Sequence, residues 1–493
     1  MTLAASTLGF TQIAQATTTG YGLSGDGKIY AWGTNFNDEL GGGASAPTRT
    51  TAPMRVLLGA IPAGARITQI AAGWNGGYAL ASNGGVYSWG ANVRGELGDG
   101  TTTNRNQPVA VNLAALPAGV HVTQLAAGEL NAYALGSDGH VYAWGLGNDG
   151  EIGNGSTSDQ HSPIAVTMSG MPAGVTFTQI ASGAVTAYAL GTDGHVYSWG
   201  YGLQGQLGNG GTAQQDTPAA ISAGAIPAGV KITQAAGGQE SGYALGDDGN
   251  VYAWGDNQFG DLGDGSNTAS TVPVKVSAGD IPVGLKMNAI AGGSSSGYAL
   301  ASNGRVYAWG NGGNGQLGNG AGSSTTSPVL VAVGEIPADV TITHISGGYH
   351  SAIALGTDDR VYGWGDNGGD LADGTNDQRL TPVLGANAKV AGVAFGGVAG
   401  TDVVDPPGVT TVVTPAHAAG VVAVAVTGSI DGGATAGSAT SRTLPAAFTF
   451  LPTLAVTGAD LTWWLLLVGF GAILLGATAL AGGRSYSAGH RRP

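Results

Sequence analysis

Three groups of residues in this sequence have types and spacings that could support chemistry. The first is a Gly-x-Ser-x-Gly pentapeptide at residues 293–297, the pattern of a serine nucleophile on a strand-to-helix turn. The same register in other segments reads GQESG or GELNA, and the flanking residues predict a turn between two strands. Such a turn does not expose a serine in the way a hydrolase requires, so we predict no nucleophile here.

Histidine is the second group, because neutral imidazoles can bind a metal ion. His140 and His195 occupy equivalent predicted hairpin turns in neighbouring segments. Other segments have different side chains at this place, namely Lys28, Asn250 and Arg305. Positions that accept such different side chains are typical of solvent-exposed turns, and we predict no metal site there.

Carboxylates are the third group, since several follow each Trp-Gly pair and could bind calcium. They include Asp256, Asp261, Asp264, Asp366, Asp370 and Asp373. Their spacing matches neither an EF-hand loop nor a nonapeptide calcium repeat, so we predict polar turns instead. The sequence has no cysteine, which removes disulfides, zinc thiolate sites and a cysteine nucleophile. We therefore predict no catalytic residue, no metal and no cofactor.

All of these residues belong to a unit that recurs along the chain. A Tyr-x-Trp-Gly signature occurs seven times; the first interval between its tryptophans is 57 residues and the next five are 55 residues each. The tryptophans are Trp32, Trp89, Trp144, Trp199, Trp254, Trp309 and Trp364. A period this long and regular predicts a closed ring or a solenoid of copied units.

Each unit contains four short segments that read as strands. In the fifth copy they are ITQ, GYAL, VYAWG and PVKV, with Asp-Gly between the second and third, which favours a tight hairpin. Tyr252 and Trp254 alternate with Val251 and Ala253, so the two aromatic side chains share one face of a strand. We predict an all-β fold, a seven-bladed β-propeller with four antiparallel strands in each blade.

The repeated residues resemble a known family. The patterns Gly-Gly-x-x-x-x-Ala-Leu, Asp-Gly-x-Val-Tyr-x-Trp-Gly and Asn-x-x-Gly-x-Leu-Gly-x-Gly are similar to repeats of the regulator of chromosome condensation family. The best match is YALASNGRVYAWGNGGNGQLGNG at residues 298–320. The resemblance covers about residues 1–384 and implies a seven-bladed propeller. It does not imply nucleotide exchange, because a fold alone is a weak guide to function.

Composition limits the partners of the chain. The sequence has 31 acidic and 17 basic residues, a formal net charge of -14, and no cluster of Lys and Arg in the propeller segment. A protein that neutralises phosphates needs such a cluster. We therefore predict that the chain does not bind nucleic acid.

The C-terminal part predicts where the protein is located. Residues 461–481 form an uncharged run of 21 residues, long enough for a transmembrane helix. Arginines in the tail at residues 482–493 predict that this tail stays inside the cell, with the propeller on the extracellular face.

A short motif precedes the apolar run. The linker at residues 451–460 contains Leu454, Ala455, Val456, Thr457 and Gly458. With the run and the basic tail, it resembles a cell-wall sorting signal of the Leu-Ala-x-Thr-Gly kind found in high-GC Gram-positive bacteria. The resemblance implies that a class E sortase cleaves between Thr457 and Gly458 and joins the chain to peptidoglycan. The alternative is a plain tail anchor with a chance pentapeptide.

The N-terminus conflicts with export. Residues 1–23 have neither a basic n-region nor a long apolar h-region, and residues 10–14 already align with ITQIA of later copies. We expect that the true start lies upstream and that a signal peptide is missing from this N-terminus.

A second, smaller β unit is predicted at residues 385–450. Alternating valines there indicate three or four strands of a β-sandwich-like segment. Pieces at Phe395, Thr414 and Phe448 resemble part of the immunoglobulin-like IPT/TIG domain. Its expected role is a stalk that holds the ring clear of the envelope, and the alternative is a flexible spacer.

The residues that differ between near-identical units are candidates for binding. Two variable positions follow the first predicted strand of each unit, and these turns should lie on one rim of a propeller. From them we select a candidate binding rim of Trp74, Asn75, Glu129, Gln239, Glu240, Tyr349 and His350. Exposed tryptophan and tyrosine are typical interface anchors. The alternative is drift at tolerant loop positions.

These observations favour a non-catalytic binding or adhesion protein of the cell surface that recognises a protein or a glycan. A second hypothesis is an inhibitor, because one secreted actinobacterial propeller group built from the same repeats binds β-lactamases through aromatic rim residues. A third hypothesis is a propeller lyase or hydrolase, for which no acid, base or metal ligands converge in register.

Overall fold

The computed structural model describes residues 8–385 with their side chains and, outside them, the backbone of short strands. These outer strands are Thr2–Leu3, Ala388–Phe395, Val398–Ala399, Thr401–Val404, Thr410–Val413, Gly420–Ile430, Thr440–Phe450, Trp464–Val468 and Ala472–Gly476. Residues Gly9–Asn387 form one compact unit that contains all seven copies of the repeat.

Seven sheets of four strands make up this unit, one sheet for each repeat. The first strands are Phe10–Gln15, Ile67–Gly73, Val122–Ala127, Phe177–Ser182, Ile232–Gly237, Met287–Gly292 and Ile342–Gly347. The second strands are Thr19–Ser24, Gly76–Ala81, Asn131–Gly136, Thr186–Gly191, Ser241–Gly246, Ser296–Ala301 and Ser351–Gly356. The third strands are Ile29–Thr34, Val86–Gly90, Val141–Gly145, Val196–Gly200, Val251–Gly255, Val306–Gly310 and Val361–Gly365. The fourth strands are Arg49–Arg55, Arg105–Ala110, Gln160–Ala165, Gln215–Ala220, Ser270–Lys275, Thr325–Leu330 and Arg379–Leu384.

The seven sheets close into a ring. In each sheet the strands pair antiparallel in chain order, and the first strands of successive blades contact one another around the centre. The first strand of blade seven contacts that of blade one, and the Phe10 N–H donates to the Asp359 carbonyl at 2.9 Å. The prediction of an all-β, seven-bladed propeller is confirmed. Within residues 8–385, one 3-10 turn, Leu113–Ala115, follows the fourth strand of blade two.

The glutamine of the ITQ segment joins neighbouring blades near the centre. Gln69 Nε2 donates to the Leu125 carbonyl at 3.0 Å, and Gln69 Oε1 accepts the Leu125 N–H at 2.9 Å. Gln234 makes the same pair of bonds with Ile290 of the next blade, at 3.1 and 3.0 Å. An amide can donate and accept at once, so one side chain satisfies two backbone groups of the adjacent first strand.

The middle strands are buried on both faces. In the third strand of blade five, Val251, Tyr252, Ala253 and Trp254 are at most 4% exposed. The sequence correctly places the two aromatics on one face, but the opposite face is also covered because each blade packs between two others.

A tryptophan side chain connects each blade to the preceding one. Trp254 Nε1 of blade five donates to the Gln206 carbonyl of blade four at 2.8 Å, and the Tyr188 hydroxyl of blade four donates to the same oxygen at 2.7 Å. The seam between the last and first blades uses the same bond, from Trp32 Nε1 to the Asp370 carbonyl at 2.8 Å. All seven tryptophans of the Tyr-x-Trp-Gly signature make this bond.

The glycine after each tryptophan fixes the turn between the first and second strands. Gly255 has φ +105°, and a Cβ at this position would lie 2.4 Å from the Glu240 carbonyl oxygen. The next residue, Asp256, donates its N–H to that same oxygen at 2.9 Å. The glycine of the Trp-Gly pair is therefore required for two reasons: the backbone approaches too closely for a Cβ, and φ is positive.

The C-terminal segment differs from the prediction. In place of one helix over residues 461–481, the structure has an antiparallel pair of strands, Trp464–Val468 and Ala472–Gly476. The predicted helix is therefore wrong for these ten residues. Apolar runs of this length do not separate helix from strand by periodicity, and three glycines within 469–476 lower the helix propensity. Among the described residues, no helix is long and apolar enough to cross a membrane.

The strands between the propeller and this pair form two sheets. Ala388–Phe395, Val398–Ala399, Gly420–Ile430 and Thr440–Phe450 make a four-stranded sheet. Thr401–Val404 and Thr410–Val413 join Thr2–Leu3 and the C-terminal pair in a five-stranded sheet. The segment is thus rich in β-structure, with six strands where three or four were predicted. The pentapeptide of Leu454, Ala455, Thr457 and Gly458 lies outside the described residues.

The shared carbonyl predicts unequal effects of its two donors. Tyr188→Phe removes one donor and leaves the packing intact, so it should lower the free energy of unfolding by about 1 kcal/mol. Trp254→Phe also leaves a gap between blades and should cost about 3 kcal/mol. Urea denaturation measures both. Blade seven supports this order of costs. It has Ile353 in place of the tyrosine, so a blade tolerates the absence of the hydroxyl donor. Equal costs for the two variants contradict this account.

Candidate binding site

The turns between first and second strands form the rim, which we define by two positions in each blade. These are Thr17-Thr18, Trp74-Asn75, Glu129-Leu130, Ala184-Val185, Gln239-Glu240, Ser294-Ser295 and Tyr349-His350. The pair from blade one was missed in the sequence, because blade one has Gln-Ala where the other blades have Ala-Gly, Ser-Gly or Gly-Gly before the rim pair.

The rim surrounds the mouth of the central channel. A cavity of about 130 Å³ there is lined by residues from all seven blades, including Thr17, Trp74, Gln239 and Tyr349. The seven candidate residues are half-buried rather than fully exposed, because each turn packs against its neighbours. Asn75 and Glu129 belong to the rim but do not line this cavity. Burial raises the pKa of the Glu129 carboxyl.

An aromatic cluster stands on one side of the mouth. The rings of Trp74 and Tyr349 meet edge to face with centroids 5.7 Å apart, and the Tyr349 and His350 rings are 4.3 Å apart. Trp74 comes from blade two and Tyr349 from blade seven, so these side chains reach across blade one. Blade one has only the short side chains of Thr17 and Thr18 at this place. The cluster therefore forms because the ring closes.

A second cavity of about 290 Å³ adjoins the mouth between blades five and six. We call it the acidic pocket and define it by Glu240, Asp256, Phe259, Asp261, Tyr349 and His350, which are among its lining residues. Four of the seven candidate rim residues thus meet at this cavity: Gln239, Glu240, Tyr349 and His350. Phe259 was missed in the sequence, since it lies in the long loop after the third strand, whose side chains vary in every blade.

The carboxylates of the acidic pocket share a poorly solvated space. Burial, and then the charges of Asp256 and Glu240, raise the pKa of Asp261 to about 7. Burial and the charge of Asp256 also raise the pKa of Glu240. Burial lowers the pKa of His350, with Asp366 acting in the opposite direction. The histidine is therefore neutral at pH 7 and does not compensate the negative charge.

Asp261 is held by the interblade contact itself. Its carbonyl accepts hydrogen bonds from the Tyr243 hydroxyl and from Trp309 Nε1, both at 2.9 Å. Its side chain is 2% exposed; Oδ2 accepts the Phe259 N–H at 3.1 Å, and Oδ1 has no partner. A buried carboxylate oxygen without a donor is unfavourable. Glu96 and Glu151 also have such an oxygen, and Asp261 differs from them in lining the acidic pocket.

Every blade has an acid or amide side chain at the position of Asp261. The set is Glu39, Glu96, Glu151, Gln206, Asp261, Gln316 and Asp370. Each accepts the backbone N–H two residues earlier, as Glu151 Oε2 does from Asp149 at 2.8 Å. Burial raises the pKa of Glu151 to about 7 and that of Asp370 to about 6. These side chains are structural parts of the blade interface.

The other residues with possible chemistry have structural surroundings. Ser295, the central serine of residues 293–297, lies in a turn between two strands, as predicted, and its carbonyl accepts the Asn311 N–H at 2.7 Å. Ser295 and His350 both line the acidic pocket, but no hydrogen bond joins them within the described part of the chain. His140 and His195 lie on hairpin turns, each 3.3 Å from an aspartate of its own turn.

Two of the carboxylates after Trp-Gly, Asp256 and Asp261, line the acidic pocket, whereas others lie in polar turns. Asp264 accepts the Ser266 N–H at 2.9 Å, and Asp373 accepts the Thr375 N–H at 2.9 Å, as polar turns do. In the portion of the chain that the structure describes, no group of three His, Asp or Glu residues could hold a metal ion.

Basic residues are concentrated at the opposite end of the ring. Antiparallel strands put the second-to-third hairpins and the fourth-to-first connections at the end away from the rim. Eight of the twelve Lys and Arg residues within 8–385 lie there: Lys28, Arg55, Arg66, Lys231, Lys275, Lys286, Arg305 and Arg360. At the rim end, Arg105 and Arg379 are paired at 2.6 Å with Asp99 and Asp373. The rim end therefore has little free positive charge.

Comparison with known proteins places the chain among repeat propellers. The family described as RCC1-like domain matches residues 113–400, and the regulator of chromosome condensation (RCC1) repeat matches residues 26–80 and 83–135. The ultraviolet-B receptor UVR8 of Arabidopsis thaliana is 33% identical over 314 residues, 64% of this chain and 67% of the receptor.

One further relative and one solved structure define the limits of the comparison. The human E3 ubiquitin-protein ligase HERC2 is 30% identical over 72% of this chain, but the match spans 7% of the ligase, so it assigns no ligase activity here. The crystal structure of human WBSCR16 superposes with a TM-score of 0.62 at 22% identity, over 72% of this chain and 93% of that one. This likeness shows the fold.

The buried acids predict that stability depends on pH. The folded-state pKa of Glu151, about 7, lies above the value of about 4.3 for an unfolded glutamate. The stability that accompanies its protonation is complete below about pH 4 and is lost as the pH rises through about 7. Glu151→Gln should remove about 3 kcal/mol of that decline between pH 4 and pH 8.

Unfolding in urea at pH 4, 6 and 8 measures this effect. Gln206→Glu is the matched control, because it places the same acid at the equivalent position of blade four, where Gln206 Oε1 accepts the Gln204 N–H at 2.9 Å. That variant should gain the pH dependence that Glu151→Gln loses. An unchanged pH profile in Glu151→Gln contradicts the assignment.

Proposed function

Because the chain belongs to the family of RCC1-like repeat propellers, we propose that it is a non-catalytic binding protein that recognises a protein or glycan with its rim and is displayed on the cell surface. Relatives in this family include a receptor. The observation that supports the proposal most is the convergence of the aromatic cluster, the channel mouth and the acidic pocket at one end of the ring. Variable side chains on a rigid scaffold are typical of recognition surfaces.

The surface location rests on the sequence of the C-terminal part. Leu454, Ala455, Thr457 and Gly458 form the sorting pentapeptide, and the uncharged run of residues 461–481 and three arginines follow it. We infer that a sortase reads this pentapeptide and joins the chain to peptidoglycan. The segment at residues 385–450, with its resemblance to part of the IPT/TIG domain, would then serve as a stalk.

An inhibitor of β-lactamase is the second candidate. The edge-to-face contact of Trp74 and Tyr349 favours it, because aromatic side chains on a rim are good anchors for a protein partner. A wall-anchored chain is poorly suited to diffuse to its target, so we rank adhesion first.

Replacing the rim side chains tests the binding function. The triple variant Trp74→Ala, Glu240→Ala and Tyr349→Ala should lose at least about tenfold in affinity, since it removes two aromatic anchors and one charge. The binding assay uses immobilised chain with extracellular-matrix proteins, solubilised wall polymer and purified β-lactamase. The control variant, His140→Ala, His195→Ala and Arg305→Ala, changes the opposite end. Equal binding by the rim variant and the wild type contradicts the proposal, and capture of β-lactamase alone favours the inhibitor.

Substitution within the pentapeptide tests the display. Thr457→Ala should prevent release of the protein from cell walls by muralytic enzymes and leave it in the membrane fraction. Val456→Ala is the matched control, because the third position of a Leu-Ala-x-Thr-Gly signal is variable. Immunoblotting of wall and membrane fractions measures the outcome, and wall release of the Thr457→Ala protein at the normal level rules out sorting.

A further inference from the structure

The acidic pocket contains one side chain that the rest of the fold leaves unsatisfied. Asp261 is 2% exposed, lines the cavity of about 290 Å³, and has no hydrogen-bond partner at Oδ1. Its other oxygen is occupied by the Phe259 N–H at 3.1 Å. When Asp261 is ionised, a cation or a donor that enters the cavity would stabilise this buried oxygen.

Side-chain length explains why a cavity lies at this blade. The equivalent residues of the two neighbouring blades are Gln206 and Gln316, each one methylene longer than Asp261. Blade seven also has an aspartate, Asp370, but there Gln15 Nε2 and the Ser351 hydroxyl donate to Oδ2 at 3.0 and 2.6 Å. Blade five has the short acid without such donors, so the space next to it stays open.

The walls of the pocket suit an organic cation. Glu240 and Asp256 add negative charge, and none of the lining residues is Lys or Arg. Phe259 is 39% exposed, and Tyr349 supplies a second ring from blade seven. Aromatic faces attract ammonium and guanidinium groups, and they also pack against the methylene stems of long basic side chains.

We propose that the acidic pocket receives the side chain of a lysine or arginine from a partner protein, with its charged group on Asp261 and Glu240 and its stem against Phe259 and Tyr349. This inference rests on the proposed binding function of the rim and names the chemistry that one part of the rim recognises. The pocket shares Gln239, Ser294 and Tyr349 with the channel mouth, so a partner seated on the rim reaches both.

Titration calorimetry of the full chain with small probes tests the proposal. The probes are the N-acetyl methylamides of arginine and lysine, and the citrulline derivative is their uncharged control. The basic probes should bind, and citrulline should bind at least about tenfold more weakly, because it lacks the charge. Asp261→Asn keeps an acceptor for the Phe259 N–H and should weaken arginine binding at least about tenfold.

Glu151→Gln is the matched control variant, because it removes a buried acid at the same position of a different blade and should leave arginine binding unchanged. Arginine binding by wild type should strengthen from pH 5.5 to pH 8, since Asp261, with a pKa of about 7, must be ionised. Burial and the charge of Asp256 raise the pKa of Glu240, and burial lowers the pKa of His350, so both groups also favour tighter binding of a cation at the higher pH.

Several results overturn the proposal. Equal binding of citrulline and arginine, or undiminished binding to Asp261→Asn, shows that the charge on Asp261 is not recognised. Tight Asp261-dependent binding of spermidine or calcium, without binding of the basic methylamides, shows that the pocket takes a free polyamine or a metal ion. If none of these probes binds while the rim variant still loses binding of its partner, the pocket proposal is refuted and the rim function stands.

Discussion

The fold depends on one repeated contact, the hydrogen bond from a tryptophan indole to a backbone carbonyl of the preceding blade. Trp254 and Gln206 show the pattern, and Trp32 closes the ring on Asp370 with the same geometry. A buried indole N–H must find an acceptor, and a buried carbonyl must find a donor, so each blade satisfies its neighbour. The contact fixes the distance between blades. A repeat of constant length follows, because any insertion within the blade core would displace the donor from its acceptor.

The acceptor residue connects this contact to the binding surface. Its carbonyl belongs to the blade interface, while its side chain points toward the loop that ends on the rim. In blade three this side chain is Glu151, and in blade five it is the shorter Asp261, which leaves a cavity. A change of one methylene at a structural position therefore alters the surface without altering the ring. Seven equivalent positions give the fold seven places where such changes can occur.

Much of the fold could be predicted from the sequence, because the period, the strand patterns and the Asp-Gly hairpins are local signals. The rim positions also followed, since variation within a nearly constant repeat marks the turns. The contact between Trp74 and Tyr349 could not be predicted, because 275 residues separate them and only ring closure brings them together. The burial of Asp261 was also missed, since its surroundings in the sequence are polar. At the C-terminus, an apolar run that fits a helix or strands was assigned to the wrong one.

The distribution of charge gives the ring a direction. Basic side chains lie mainly at the end away from the rim, and two of the arginines at the rim end are paired with aspartates. The net charge of the chain is -14, so the rim end, which has little free positive charge, is the more negative end of the ring. Fields of this kind raise the local concentration of cationic partners and speed their encounter. The half-buried aromatic cluster supplies apolar contact area but little charge selectivity. Selectivity for a basic partner must come from the acidic pocket, where a carboxylate is already desolvated by the fold and therefore interacts strongly with a cation that enters.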